Sequence, residues 1–91
     1  MNKIELSVIL PTINEEENLK ILIPDLVDLL SSKNEVDYEI LVVDDGSTDN
    51  TLEFLTDFNN QNNRVKIISR TSEPSLPLSI YEGIAASKSE Y

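Results

Sequence analysis

Short apolar runs alternate along the chain with longer segments of helical period. The runs 6–10, 38–43 and 65–68 are rich in β-branched residues, which is typical of buried strands. Between and after these runs, apolar residues recur at steps of three and four, which predicts helices. The resulting βαβαβα order favours an α/β fold with a parallel sheet and right-handed crossovers. We predict a single unit over residues 1–91.

The first predicted helix contains the clearest amphipathic stripe. Asn14 is expected to cap its start, with Glu17 completing a capping box three residues later. Pro24 removes one helical hydrogen bond, so we expect a kink there. The positions predicted to face the core are Leu19, Leu22, Ile23, Leu26, Val27 and Leu30.

The two later helices follow the same logic. Residues 59–63 read as a polar loop after the second helix, and the third helix is predicted over about 78–88. The inward positions expected are Leu52, Leu55 and Phe58 in the second helix and Ile80, Ile84 and Ala85 in the third. A three-stranded sheet leaves an open edge, which favours self-association through that edge.

Composition removes several functional classes. The chain has 17 acidic and 7 basic side chains, a formal net charge of −10, and neither cysteine nor histidine. Nucleic-acid binding requires clustered basic residues, so no nucleic-acid partner is expected. Disulfides, thiolate nucleophiles and imidazole ligands are excluded. No apolar run has the length of a membrane span or a signal peptide, so we expect a cytoplasmic protein.

Polar residues are concentrated after the first and second predicted strands. Ligands of parallel α/β sheets bind beyond the carboxyl ends of the strands, which indicates the loops 11–16, 44–49 and 69–77 as candidate binding loops. The first two carry the densest acidic and turn-forming residues. Asp44 and Asp45 should project in opposite directions, one toward a ligand and one into a turn. The same residues also fit a plain turn followed by a capped helix. With Gly46 and Gly83 as the only glycines, no glycine-rich phosphate loop can form.

Segments 7–19 and 39–51 (SVILPTINEEENL and EILVVDDGSTDNT) together resemble the family 2 glycosyltransferases. Within that family the chain is most similar to the dolichol-phosphate mannosyltransferase branch. The resemblance covers essentially the whole chain as the N-terminal part of a catalytic domain. Residues 70–86 depart from the family pattern, because the usual glycine-rich loop before the last helix is missing.

The resemblance implies a Rossmann-like GT-A domain of which this chain is the nucleotide-sugar-binding half. The donor would be a GDP- or UDP-sugar, and the acceptor a polyprenyl phosphate or a glycan. Asp44 is expected to contact the base, with Asp45 nearer the turn, and Arg70 is a candidate phosphate contact. The full set of residues expected to bind the nucleotide is Pro11, Thr12, Ile13, Glu15, Val42, Asp44 and Asp45.

The resemblance also implies what lies outside the chain. The family's Asp-x-Asp motif, which holds Mg²⁺ or Mn²⁺, is expected beyond Tyr91, and the catalytic base further on. We therefore assign no catalytic or metal-binding residue here and expect no sugar transfer by this chain alone. Glu73, Glu82 and Glu90 are interpreted as solvated surface charges. Membrane association would come only through the acceptor lipid or through missing segments, at the cytoplasmic face.

Two other functional classes remain open at this point. A phosphoacceptor receiver domain also has an acidic pair at a strand end, but it needs that pair on its first strand and an acceptor aspartate later. A non-catalytic nucleotide-binding or interaction module is the other alternative. Metal-dependent binding of a nucleoside diphosphate, or phosphoryl transfer from a small phosphodonor, would distinguish these classes.

Overall fold

A computed structural model describes residues 4–32, 37–70 and 73–89. Its elements, in chain order, are β1 (Leu6–Thr12), α1 (Glu16–Ser31), β2 (Tyr38–Asp44), α2 (Thr51–Gln61), β3 (Val65–Ser69) and α3 (Leu76–Ala86). The strands pair in parallel in the order β1-β2-β3. The predicted α/β fold with βαβαβα order is therefore confirmed, and each strand extends one or two residues beyond its apolar run.

The main core lies between the sheet and the helices α1 and α2. Because side chains alternate along a strand, alternate residues of β1, β2 and β3 point to this side. The buried apolar residues there are Leu19, Ile23, Tyr38, Ile40, Val42, Leu55 and Val65. Leu22, predicted to face this core, is instead 41% exposed, because the buried positions of α1 are Leu19 and Ile23.

Helix α3 packs on the opposite face of the sheet, against β1 and β2. Its buried residues are Ser79 and Gly83. The prediction that Ile80, Ile84 and Ala85 face inward is wrong, since all three are exposed. Small residues lie at the contact because the helix approaches the strands closely. A Cβ atom on Gly83 would lie 2.5 Å from Ile9 Cγ2.

Helix boundaries also differ from the predicted ones. α1 begins at Glu16 and Asn14 lies outside it, so the predicted capping box does not form. α1 continues through Pro24 to Ser31. α2 extends to Gln61, and therefore includes most of the predicted polar loop. None of the described helices combines the length and apolar character needed to cross a bilayer.

Candidate functional site

A cavity of about 260 Å³ opens at the carboxyl ends of β1 and β2, on the side of the sheet that carries α3. It is lined by Pro11, Thr12, Ile13, Glu15, Asp45, Pro74, Ser75, Leu76 and Ser79. Five of these residues belong to the set predicted from the sequence. The structure therefore brings residues of both motifs to one cavity, and their role as nucleotide contacts stays a prediction.

The parallel register of β1 and β2 places the two motifs side by side. Thr12 pairs with Asp44 in this register. One residue further, the Asp45 N–H donates a hydrogen bond to the Thr12 carbonyl at 2.8 Å. The loop that follows β1 and the loop that follows β2 therefore begin at the same edge of the sheet.

Asp45 lines the cavity and is only 6% exposed. Its carboxylate contacts the guanidinium of Arg70 and accepts a hydrogen bond from the Ser75 N–H at 2.5 Å. Burial raises the pKa of this carboxyl, but the Ser75 N–H, the nearby Ser79 hydroxyl and the Arg70 charge outweigh burial and hold the pKa below its usual value. The Ser79 hydroxyl oxygen is buried, and it makes no well-formed hydrogen bond within the part of the chain that the structure describes. Asp45 is therefore a buried, ionised carboxylate among the lining residues of the cavity.

Arg70 is held beneath this site rather than within the cavity lining. Its side chain is 1% exposed and also donates to the Glu73 carbonyl at 3.3 Å. Its Nε lies 3.3 Å from a carboxylate oxygen of Glu82. Glu82 is thus an ion-pair partner of a buried cation, and its interpretation as a merely solvated charge is wrong. Glu90 lies outside the described residues.

Asp44 and Val42 lie on the other face of the sheet. Val42 is fully buried in the main core, and Asp44 is also fully buried. The Asp44 carboxylate accepts hydrogen bonds from the Ser47 N–H, at 3.1 Å, and from the Ser47 hydroxyl. These bonds close a turn in which Gly46 adopts a φ of 93°, where a side chain would be strained. The two aspartates do point in opposite directions, but Asp45, not Asp44, faces the cavity.

Asn14 connects the two loops above the sheet edge. Its side-chain oxygen accepts hydrogen bonds from the N–H groups of Thr48, at 2.7 Å, and Asp49, at 3.3 Å. Its own N–H donates to the Ser47 hydroxyl oxygen at 2.8 Å. The predicted capping role of Asn14 is therefore wrong, because its side chain serves the neighbouring loop instead of the first turn of α1.

One wall of the cavity comes from residues that are not among the predicted nucleotide contacts, although residues 69–77 are one of the three loops expected at the ligand end of the sheet. Pro74, Ser75, Leu76 and Ser79 come from the start of α3, which the apolar period placed too late. The signal for this start is present in the sequence. Ser75 is the N-cap residue, and its hydroxyl accepts the Leu78 N–H at 3.3 Å. A serine at the cap followed closely by Pro77 is a recognised helix start.

Comparison with known proteins agrees with this arrangement. The profile of Glycosyl transferase family 2 matches residues 7–91. The chain belongs to this family. A dolichol-phosphate mannosyltransferase of Pyrococcus furiosus is 40% identical over 79 residues, which cover 87% of this chain and 21% of that protein. An uncharacterized glycosyltransferase of Synechocystis is 37% identical over 81 residues, which cover 89% of this chain and 25% of that protein.

A solved structure gives the same result for the fold. The crystal structure of residues 1–349 of Staphylococcus aureus TarS superposes with a TM-score of 0.76 at 27% identity, covering 94% of this chain and 25% of that one. This family 2 chain thus has the Rossmann-like α/β fold of its relatives. It spans about a quarter of the length of the relatives it matches.

Family 2 glycosyltransferases generally use a divalent cation. Carboxylates surround a second cavity of about 270 Å³, lined by Asn14, Glu15, Glu16, Glu17, Asn18 and Asp49. Among the described residues, however, no group of three or more Asp, Glu, His or Cys side chains is arranged to hold a metal ion. The described residues therefore do not fit a cation site, and we derive no step through a cation.

Proposed function

We propose that this chain binds the nucleoside part of a nucleotide-diphosphate sugar, as the donor-binding portion of a family 2 glycosyltransferase. The donor is a GDP- or UDP-sugar, and the cavity between the β1 and β2 loops and the start of α3 holds the base and ribose. The observation that carries the proposal is the meeting of both family motifs at one cavity, with Ile13 and Asp45 among its lining residues.

The chemistry of the lining suits a nucleoside. Pro11, Ile13 and Leu76 supply apolar surface against which a flat base can pack. Asp45 supplies a buried anionic acceptor for a ligand N–H or hydroxyl group. A few placed polar groups in an otherwise apolar cavity are typical of small-molecule sites. In this arrangement Asp45 fixes the orientation of the base and Asp44 supports the turn behind it. Arg70, predicted as a phosphate contact, is instead buried between Asp45 and Glu82 and holds Asp45 in place.

In the intact enzyme the acceptor is a polyprenyl phosphate or a glycan, and the reaction is an inverting displacement of the nucleoside diphosphate from the sugar. This acceptor class is drawn from relatives such as the dolichol-phosphate mannosyltransferase of P. furiosus. The divalent cation and the catalytic base are supplied outside the described residues. Contact with the cytoplasmic face of a membrane follows from a lipid acceptor. Pairing of copies through an open sheet edge is part of the same proposal.

Isothermal titration calorimetry with UDP and GDP, in the presence and absence of Mg²⁺, tests the proposal. Ile13 is 43% exposed and lines the cavity, whereas Ile21 is 68% exposed on α1 and does not. We expect Ile13→Asp to weaken binding at least about tenfold, equivalent to roughly 1.4 kcal/mol, because it replaces the apolar wall with a charge. The matched variant Ile21→Asp should bind like the wild type.

Two results would contradict the proposal. One is a wild-type chain that binds neither nucleotide. The other is equal binding by Ile13→Asp and the wild type, which would mean that nucleotides bind elsewhere on the chain. Phosphoryl transfer from a small phosphodonor to an aspartate would support the receiver-domain alternative instead.

A further inference from the structure

Asn14 adopts a left-handed backbone conformation, which is unfavourable for most residues. Its φ is 50°, and it is the one described residue other than glycine with a positive φ. Side chains disfavour this left-handed region, although asparagine tolerates it better than most residues. Such conformations persist where the surrounding contacts fix them, and they are concentrated at functional sites. The contacts that fix Asn14 all lead to the loop after β2.

These contacts form a bridge between two loops that are far apart in sequence. The side-chain oxygen of Asn14, Oδ1, accepts hydrogen bonds from the backbone N–H groups of Thr48 and Asp49. In the other direction, the Asn14 N–H donates to Ser47, whose hydroxyl donates in turn to the buried Asp44 carboxylate. The bridge therefore extends from the β1 loop to the end of β2.

The two sequence neighbours of Asn14 are lining residues of the cavity. Ile13 and Glu15 line it from the loop after β1, and Asp45 lines it from the loop after β2. Because residues 13–15 are contiguous, the bridge made by Asn14 sets how far Ile13 and Glu15 stand from Asp45. We propose that Asn14 is a positioning residue that fixes the width of the nucleoside cavity. This inference rests on the proposed function.

The β2 loop has supports besides Asn14, some within the loop and one from α1, so the bridge is not required to fold it. Asp49 accepts the Thr51 N–H at 3.0 Å, and Glu16 accepts the Asn50 N–H at 3.3 Å. Asp44 and Ser47 close the preceding turn. Asn14 is itself exposed. Loss of its side chain should therefore change the relative placement of the two loops while the fold remains.

Two substitutions separate the side-chain bridge from the backbone conformation. Asn14→Gly keeps the positive φ at low cost but removes the acceptor. Asn14→Asp keeps an acceptor of the same shape, and measurement at about 0.3 M salt screens its added charge. We expect Asn14→Gly to weaken UDP or GDP binding at least about tenfold, with an unchanged midpoint in urea unfolding. Asn14→Asp should restore binding to within about threefold of the wild type.

Nuclear magnetic resonance provides a readout that does not depend on the nucleotide. The amide resonances of Thr48 and Asp49 should move in Asn14→Gly and stay close to the wild-type positions in Asn14→Asp. Equal binding by wild type and Asn14→Gly, or equal impairment of both variants, would overturn the positioning role alone. A parallel fall of affinity and unfolding midpoint in Asn14→Gly would also overturn it. A wild-type chain that binds neither nucleotide would overturn the proposed function and this inference with it.

Discussion

The two faces of the sheet are held to their helices by different forces. Toward α1 and α2 the contact is mainly apolar, with the fully buried Ile23, Ile40 and Leu55 at its centre. Toward α3 apolar residues of β2 are also buried, but the charged residues Glu39 and Asp45 are buried with them. Hydrophobic burial is the main stabilising term in folding, whereas buried charges are stabilising only when they are well paired. The comparison teaches that the first face supplies stability and the second face positions the site.

The α3 face uses two carboxylates, one within β2 and one just after it, one for each end of α3. Asp45 accepts the Ser75 N–H at the start of the helix. Glu39 is fully buried and accepts the Lys88 N–H just after the helix ends, at 2.8 Å. Glu39 also accepts the Ser7 hydroxyl at 2.6 Å and pairs with Lys66 at 3.2 Å. Glu39 and Asp45 face the same side of the sheet, so β2 and the residue after it hold α3 at both ends.

The largest expected effect comes from the apolar face. Leu55→Ala should lower the free energy of unfolding by about 2–5 kcal/mol, because the removed atoms leave a cavity in a fully buried site. Leu29→Ala, at a position that is 58% exposed on α1, is the matched control and should change the free energy little. Urea unfolding followed by circular dichroism measures both. Equal losses in the two variants would contradict the assignment of the core to this face.

A smaller effect is expected where α3 approaches the sheet. Gly83→Ala places a Cβ 2.5 Å from Ile9 Cγ2 and 3.2 Å from Val43 Cγ2. Overpacking of this kind costs about 1–3 kcal/mol, partly offset by the better helix propensity of alanine. The double variant with Ile9→Ala should lose less than the sum of the single changes. Additive losses in this double-mutant cycle would contradict a direct steric contact.

The smallest expected effect depends on pH. Burial raises the pKa of Glu39, but the hydrogen bonds from Ser7, Lys88 and Lys66 outweigh burial and bring the pKa below its ordinary value of 4.5. A lowered pKa in the folded state contributes stability that is fully present above pH 4.5 and is lost as the pH falls through the lower folded value. Glu39→Gln should therefore cost about 1 kcal/mol at neutral pH and progressively less in acid.

Urea unfolding at a series of pH values measures this difference. Ser7→Ala removes one donor to Glu39 without changing the number of titratable groups, so its effect should also diminish in acid. A difference between wild type and Glu39→Gln that stayed constant from about pH 7 to about pH 3 would show that the carboxylate charge does not hold α3.

Much of the fold could be predicted from the apolar runs, because buried parallel strands need them on both faces. Because both faces of β2 are apolar, the sequence does not indicate which of the two aspartates faces the cavity. The four residues before Asp44 are all apolar, so they do not distinguish the two faces of β2. Asp44 shares the face of Ile40 and Val42, which is the face covered by α1 and α2. Only the packing of α3 shows that Asp45 faces the cavity.

Local sequence patterns do not determine the contacts of Asn14, α3 and Glu39. Asn14 has the sequence of a helix cap, but its side chain binds N–H groups more than thirty residues away. In α3 the apolar period selected Ile80 and Ile84 as inward. Close approach of helix and sheet instead requires small residues there, which hydrophobicity does not report. Glu39 interrupts an apolar run and shows no pairing signal in the sequence, since its partners come from other strands and from the chain after α3.

The outward side of α3 has a consequence for the behaviour of the chain in solution. Its exposed apolar side chains are Leu76, Leu78, Ile80, Tyr81 and Ile84, each at least 40% accessible. The chain that carries this exposed apolar surface has a formal net charge of −10. Mutual repulsion between copies is long-ranged in dilute buffer and is screened within about 8 Å at physiological ionic strength. We therefore expect added salt to promote aggregation of this protein, and low ionic strength to keep it monomeric.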